Sequence, residues 1–216
     1  RKMKRKILLV FAICAVAAMN VKAQDEGEKK GGFKKENLFA GGNVALGFGS
    51  GTTSFGLGPY FGYSINKYLD AAIGVNYNYV SQRDNVEYGD KLRQSVIAPT
   101  TFIRIFPVKF LFAQAQFEQN FVKLKYIPAE NGSYLPASQR YNVSSFLIGP
   151  GFAGGRGEDE GNAFYYISVL FDIAKNTNSP YVDDLGRVTP IIRAGYNIAL
   201  FQGTSSKNRY RKRNID

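Results

Sequence analysis

From Asn37 to Phe201 apolar and polar side chains alternate with a period of two, and no stretch of that span carries a helical stripe or an apolar run long enough for a spanning helix. Leu69, Ala71, Ile73, Val75, Tyr77 and Tyr79 are apolar or aromatic, whereas Asp70, Ala72, Gly74, Asn76 and Asn78 between them are small or polar. Ala163, Tyr165, Ile167, Val169, Phe171 and Ile173 repeat the pattern, as do Ile192, Ala194, Tyr196, Ile198 and Leu200. Leu111, Ala113, Ala115 and Phe117 alternate with Phe112, Gln114, Gln116 and Glu118. Successive side chains of a strand point to opposite faces. Each segment is therefore a strand with one greasy face and one polar or small face.

The segments run over 38–50, 53–65, 68–82, 93–106, 109–125, 140–154, 163–175 and 188–201, an even count of eight. Their connectors alternate too. Those around 64–67, 106–109 and 155–162 are short or compact, while 83–92, 126–139 and 176–187 are longer, polar and rich in Asn, Asp, Pro and Gly. Only 49–52 breaks the long series. Long connectors thus fall on one end of the sheet and short ones on the other.

A soluble sandwich buries the greasy faces of two sheets against each other, while a membrane barrel turns them to lipid and fills its lumen with polar and small side chains. Strand length decides between them. Soluble strands cluster near about 5 or 6 residues; these are about twice that, enough for a tilted strand to cross a bilayer. The predicted fold is an all-β, eight-stranded antiparallel up-and-down transmembrane β-barrel over 37–201.

The charge of +11 suggests a nucleic-acid binder until it is located. Six of the cations lie in residues 1–23, where a basic start, the apolar run Ile7–Met19 and Val21-Lys22-Ala23 have the layout of a secretory signal peptide cleaved after Ala23. That run is too short for a membrane anchor, and Ile13 does not suit Cys14 to lipidation. Residues 24–36 read as a flexible arm and 202–216 as a basic tail with five Lys or Arg against Asp216. Residues 37–201 hold 13 basic and 12 acidic side chains, with no concentrated footprint for nucleic acid.

The signal segment, the Gly- and aromatic-rich strand Leu38–Phe48, the strand-turn-strand run Tyr60–Leu69 and the last strand Arg193–Phe201 resemble the small eight-stranded outer-membrane β-barrels of Gram-negative bacteria. The resemblance is strongest to the outer membrane β-barrel family common in the Bacteroidetes, an OmpA/OmpX-like barrel without a periplasmic domain. It implies an outer-membrane location and lipid and lipopolysaccharide as surroundings. Barrels of that family usually close on a terminal aromatic; here 15 residues follow Phe201, and strict alternation makes Leu200 the lipid-facing residue.

With the greasy set outward, Asp70, Arg104, Glu118, Asp172 and Arg193 form a polar lumen network, with Asp70 expected to pair with Arg104 and Asp172 with Arg193. Gln114, Gln116, Asn76, Asn78 and Asn197 complete it. A barrel this size is filled by its own side chains. Barrel enzymes of the size depend, as groups, on a catalytic His, and this chain has none. No catalytic, cofactor-binding or metal residue is assigned, and no cofactor is expected. Gly149-Pro150-Gly151-Phe152-Ala153-Gly154 fits a nucleotide-loop string but opens no helix; its glycines are expected to let bulky neighbours pack inside the barrel. Glu158–Glu160 and the acids of 84–90 match no full calcium loop and read as solvated acids. Tyr60, Tyr63, Tyr68, Tyr77, Tyr79, Tyr126, Tyr141, Tyr165 and Tyr196 are expected to form interfacial girdles.

Two readings of function stay open: a non-enzymatic barrel for envelope structure, adhesion or integrity, and an accessory subunit of a larger outer-membrane machine. In the second, loops 83–92 and 126–139 or the basic tail would contact a protein partner. A narrow pore is a third, lesser reading.

Overall fold

The computed structural model describes residues 33–49, 51–130, 132–156, 163–183 and 185–201. The signal segment, the Glu158–Glu160 run, the basic tail and most of the arm lie outside the described residues. The strands are β1 (Leu38–Gly49), β2 (Thr52–Ser64), β3 (Leu69–Arg83), β4 (Lys91–Val108), β5 (Leu111–Ile127), β6 (Ala137–Gly154), β7 (Ala163–Asp172) and β8 (Ile191–Ala199). Each pairs antiparallel with its sequence neighbours and β1 closes on β8, as the alternation predicts.

The period-two pattern separates inside from outside. Leu46, Ile73, Ile97 and Ile192 on the outer face are between 53% and 66% exposed, while Asp70, Ala98, Glu118 and Asn120 facing inward are at most 1% exposed. Four prolines sit in strands, where their missing N–H removes a ladder bond. Pro59, Pro99 and Pro150 each occupy a break in one ladder, between Leu57 and Tyr60, between Ile97 and Thr100, and between Ile148 and Gly151. Pro107 lies in the register shift between Ile105 and Val108.

The strands are unequal. β4, β5 and β6 have 18, 17 and 18 residues, and β7 and β8 only 10 and 9. The β6–β7 ladder starts at Leu147 opposite Asp172, and the β1–β8 ladder stops at Val44 opposite Ala194. At the long-loop end the rim is therefore high along β4–β6 and low along β7–β8, where residues 173–190 span the gap.

Two expectations are corrected. The girdle does not take every Tyr: Tyr68, Tyr77, Tyr165 and Tyr196 lie outside, but Tyr60 is only 6% exposed and packs edge-on to Phe39 and Phe102 inside. Tyr126 points to the buried Asp90. Nor does the alternation hold to Phe201. Strand β8 ends at Ala199, Leu200 is half-buried with its N–H on the Leu38 carbonyl, and Phe201 turns outward with φ 54°.

Candidate functional site: a charged lumen under a tethered loop

Near the short-loop end the lumen is aromatic. Phe39, Tyr60, Phe102, Phe106, Phe112, Phe164 and Tyr166 form one buried cluster. Two guanidiniums are set into it. The Arg104 group lies 4.0 Å from the Tyr166 ring centre and 4.6 Å from that of Phe102, and Arg156 lies 3.5 Å from that of Phe106. A cation over a ring face is attracted by the ring quadrupole, most strongly where water is excluded.

Asp70 and Arg104 face each other in the β3–β4 register. The expected pair between them is not the one formed. Arg104 reaches past Asp70 into the rings and donates from Nε to Gln114 Oε1 at 2.8 Å, while Asp70 pairs with Arg156 at 3.9 Å. Arg156 also donates to the Lys67 carbonyl at 3.2 Å, tying the 155–162 connector to the β2–β3 turn.

From Arg104 a polar ladder climbs the inward face of β5. Gln114 donates to Gln116 at 2.6 Å, and Gln116 to Glu118 at 2.6 Å. Arginine offers only donors and a carboxylate only acceptors. Each amide between them therefore has a single orientation that satisfies both neighbours.

Glu118 is the hub. Its Oε1 accepts from Asn76 at 2.6 Å and from Arg193 at 2.9 Å as well as from Gln116, and its Oε2 accepts from the Tyr181 hydroxyl at 2.6 Å. The Arg193–Glu118 ion pair replaces the expected Arg193–Asp172 pair. The register gives the reason: Arg193 stands opposite Ser168, four places from Asp172.

Asp172 ends a second chain instead. Ser179 donates to Asp172 Oδ2 at 2.6 Å, which uses its only proton, so in the 3.0 Å contact between the serine hydroxyls Ser145 is the donor. Asn120 donates to Ser145 at 2.9 Å. The other Asp172 oxygen takes the amides of Ala174 and Phe146.

Ser179 and Tyr181 belong to the 173–190 loop, which dips into the lumen mouth. A turn holds it there. Asp183 accepts the Arg187 and Leu185 amides and pairs with the Arg187 guanidinium at 2.8 Å, and Thr189 donates back to the Tyr181 carbonyl. The Arg187 amide, then its guanidinium, hold the Asp183 carboxyl below its ordinary value. Beside Tyr181 lies a cavity of about 410 Å³ lined by Asn78, Gln94, Pro180, Thr189 and Pro190 among others. Replacing Tyr181 with Phe removes the donor to a buried carboxylate oxygen, and is expected to cost about 1.5–3 kcal/mol. The unfolding midpoint in detergent should fall, and amide exchange at Asp183 and Thr189 should accelerate.

In the 84–90 connector Asp84 is exposed as expected, but Asp90 is not a solvated acid. Asp90 is fully buried and accepts the amides of Asn85, Val86 and Glu87 and the Tyr126 hydroxyl. Burial works to raise its pKa, but the amides of Glu87, Val86 and Asn85, with Tyr126, outweigh it and hold the carboxyl below the ordinary value. A depressed carboxyl stabilises the folded loop fully above the unfolded value of about 3.9 and loses that as pH falls through the lower folded one. The amide NMR shifts of residues 85–87 should hold from neutral pH to below about pH 4 and then move toward random-coil positions. An Asp90→Asn chain should show altered shifts at every pH and no such acid transition.

Among the described residues no three His, Cys, Asp or Glu converge as a metal site. The lumen groups missed by sequence reasoning are Arg156, Ser179 and Tyr181. One signal pointed to Arg156: Asp70, Glu118 and Asp172 outnumber Arg104 and Arg193, and a dry lumen calls for a third cation.

No protein-family model and no curated protein matches the chain. Among solved structures it is similar to Ail, the attachment invasion locus protein of Yersinia pestis, at 10% identity and a TM-score of 0.45, covering 74% of this chain and 96% of that one. Neisserial surface protein A is 12% identical with a TM-score of 0.43, over 76% and 96% of the two chains. The N-terminal β-barrel domain of Pseudomonas aeruginosa OprF is 11% identical with a TM-score of 0.41, over 75% and 96%.

Proposed function

We propose that this chain is a non-enzymatic barrel of the Gram-negative outer membrane, serving envelope structure, adhesion or integrity. One observation carries the reading. A closed barrel turns an apolar belt outward while its interior holds three carboxylates, Asp70, Glu118 and Asp172, and three guanidiniums, Arg104, Arg156 and Arg193, all at most 5% exposed. Water would not favour so extensive an apolar exterior, and lipid tolerates only structures whose backbone groups are satisfied internally. Lipid and lipopolysaccharide are its surroundings in this reading, with the Bacteroidetes family as the proposed affiliation and a signal peptide over 1–23 as its route of export.

The filled lumen argues against transport. Arg104 and its rings occupy the short-loop half, and Leu147 and Leu170, both 0% exposed, pack with Tyr181 near the mouth. Detergent-folded protein is expected to migrate differently in gels before and after boiling, to insert into phosphatidylcholine vesicles, and to give no discrete currents across a planar bilayer. A chain that stays soluble without detergent would sink the membrane reading, and stepwise currents would sink the closed lumen.

A second reading, an accessory subunit contacting another protein, is favoured by the long-loop rim. Tyr88 is 93% and Leu135 84% exposed there, and Glu87 accepts the Ser133 amide, joining their two loops. Recovery of the barrel alone from native membranes would remove it.

A further inference from the structure

The outer face of β3–β6 changes character within one step of the ladder. One row across these strands is Tyr77, Ile97, Phe121 and Asn142, with the first three 39%, 53% and 47% exposed. The next row toward the long loops is Tyr79, Ser95, Lys123 and Arg140, and the one after it is Ser81, Arg93, Lys125 and Ser138. Beyond that Arg83 stands opposite Lys91. Six cations share this face and no acid does.

Three of their contacts are like-charged pairs in direct register: Lys123 with Arg140, Arg93 with Lys125, and Arg83 with Lys91. Directly opposed like charges destabilise a sheet. No cation of the six has an ion-pair partner among the described residues. Of the nearby acids, Asp84 accepts the Gly89 amide, Glu87 the Ser133 amide and Asp90 lies inside the loop, while Glu130 forms no ion pair among the described residues. The unfavourable clustering is thus left uncompensated within the described chain.

We propose that this face binds the phosphate-bearing headgroup of an anionic membrane lipid, whose acyl chains lie along Tyr77, Ile97 and Phe121. The inference rests on the membrane-barrel reading. Height selects a lipid over a soluble polyanion. Rows on one face are two residues apart, about 6–7 Å along the strand, and a headgroup layer is about 5–8 Å deep. The first cation row, with Lys123 and Arg140, therefore lies at headgroup level, directly continuous with the apolar belt. An amphiphile with a phosphorylated head matches both halves of the surface at once.

The test inserts the folded full chain into phosphatidylcholine vesicles containing a minor fraction of a phosphorylated anionic glycolipid, extracts it in mild detergent, and counts retained lipid by mass spectrometry. The wild-type chain should retain the anionic lipid above its bulk fraction. Each cation near an anionic surface contributes about fivefold, so Lys123→Gln with Arg140→Gln should lower retention on the order of 25-fold. The charge-keeping pair Lys123→Arg with Arg140→Lys should stay near wild type. Equal retention by the glutamine and wild-type chains would overturn the proposal. So would binding of a soluble sulfated oligosaccharide that displaces the lipid, which would make the face a receptor for solution polyanions. Failure to insert even into neutral vesicles would instead strike the membrane reading itself.

Discussion

Replacing Glu118 with alanine is expected to cost the barrel about 3–5 kcal/mol, because removing one partner of a buried ion pair leaves the other charge uncompensated. Four donors lose their acceptor together: Asn76, Gln116, Tyr181 and the Arg193 guanidinium. Denaturant unfolding of the detergent-folded chain, with tyrosine fluorescence as the probe, measures it. Arg193→Met alone should be similarly harmful, since Glu118 then stays buried without its cation. Apolar replacement of both, Glu118→Leu with Arg193→Met, should recover a large share of the loss, because a well-packed apolar pair can equal a buried ion pair. A loss under about 1 kcal/mol for Glu118→Ala, the scale of an ordinary hydrogen bond, would mean that the hub does not hold the lumen together.

The second large effect is at Gly149. A methyl group there would fall on the Val169 carbonyl oxygen and within 3.0 Å of the Leu170 Cα, both backbone atoms of β7. Rotating a side chain cannot relieve that contact; β7 has to leave β6. This is the stretch where Pro150 already interrupts the ladder between Ile148 and Gly151. Overpacking an ordinary core site costs about 1–3 kcal/mol, and Gly149→Val is expected to exceed that and to prevent recovery of the compact, heat-modifiable form. Two other strand glycines serve as controls. At Gly151 the three atoms nearest the added carbon all belong to the Phe112 side chain and not to backbone, and at Gly42 the nearest atom is 3.8 Å away. Gly42→Ala should fold as the parent chain does, and Gly151→Ala should show an intermediate loss.

Of the glycines of the 149–154 string only Gly151 does what was expected, making room for an inward ring, Phe112; Gly149 faces the β7 backbone and Gly154 the outward Tyr165. The barrel itself was legible. A period of two determines which face each residue takes, and it held without interruption through most of eight segments. Pairing inside the lumen was less legible, because a strand fixes where a side chain starts and not where a long one ends. Asp70 and Arg104 do face each other, yet the guanidinium finds four rings and Gln114.

Asp172 and Arg193 were misjudged for another reason, the stagger between β7 and β8, which no pattern within one strand reveals. Arg156 was hidden by Gly155, whose φ of 80° breaks the alternation and brings the next side chain inward. Tyr181 and Ser179 sit in a segment without periodicity. Their only trace was the pair Tyr181-Val182 in a loop otherwise rich in Asn, Asp and Pro.

The unequal strands give the molecule a heading. A cylinder with a level rim presents the same profile to every neighbour around it, whereas this one has a high wall at β4–β6 and a low sill at β7–β8. Rotation about the barrel axis is therefore not neutral. A neighbour arriving beside β5 meets a tall flank, and one arriving beside β8 meets the 173–190 loop and the seam above Val44. Packing such barrels at high density would select among rotational settings, so crowding alone can impose orientational order on them.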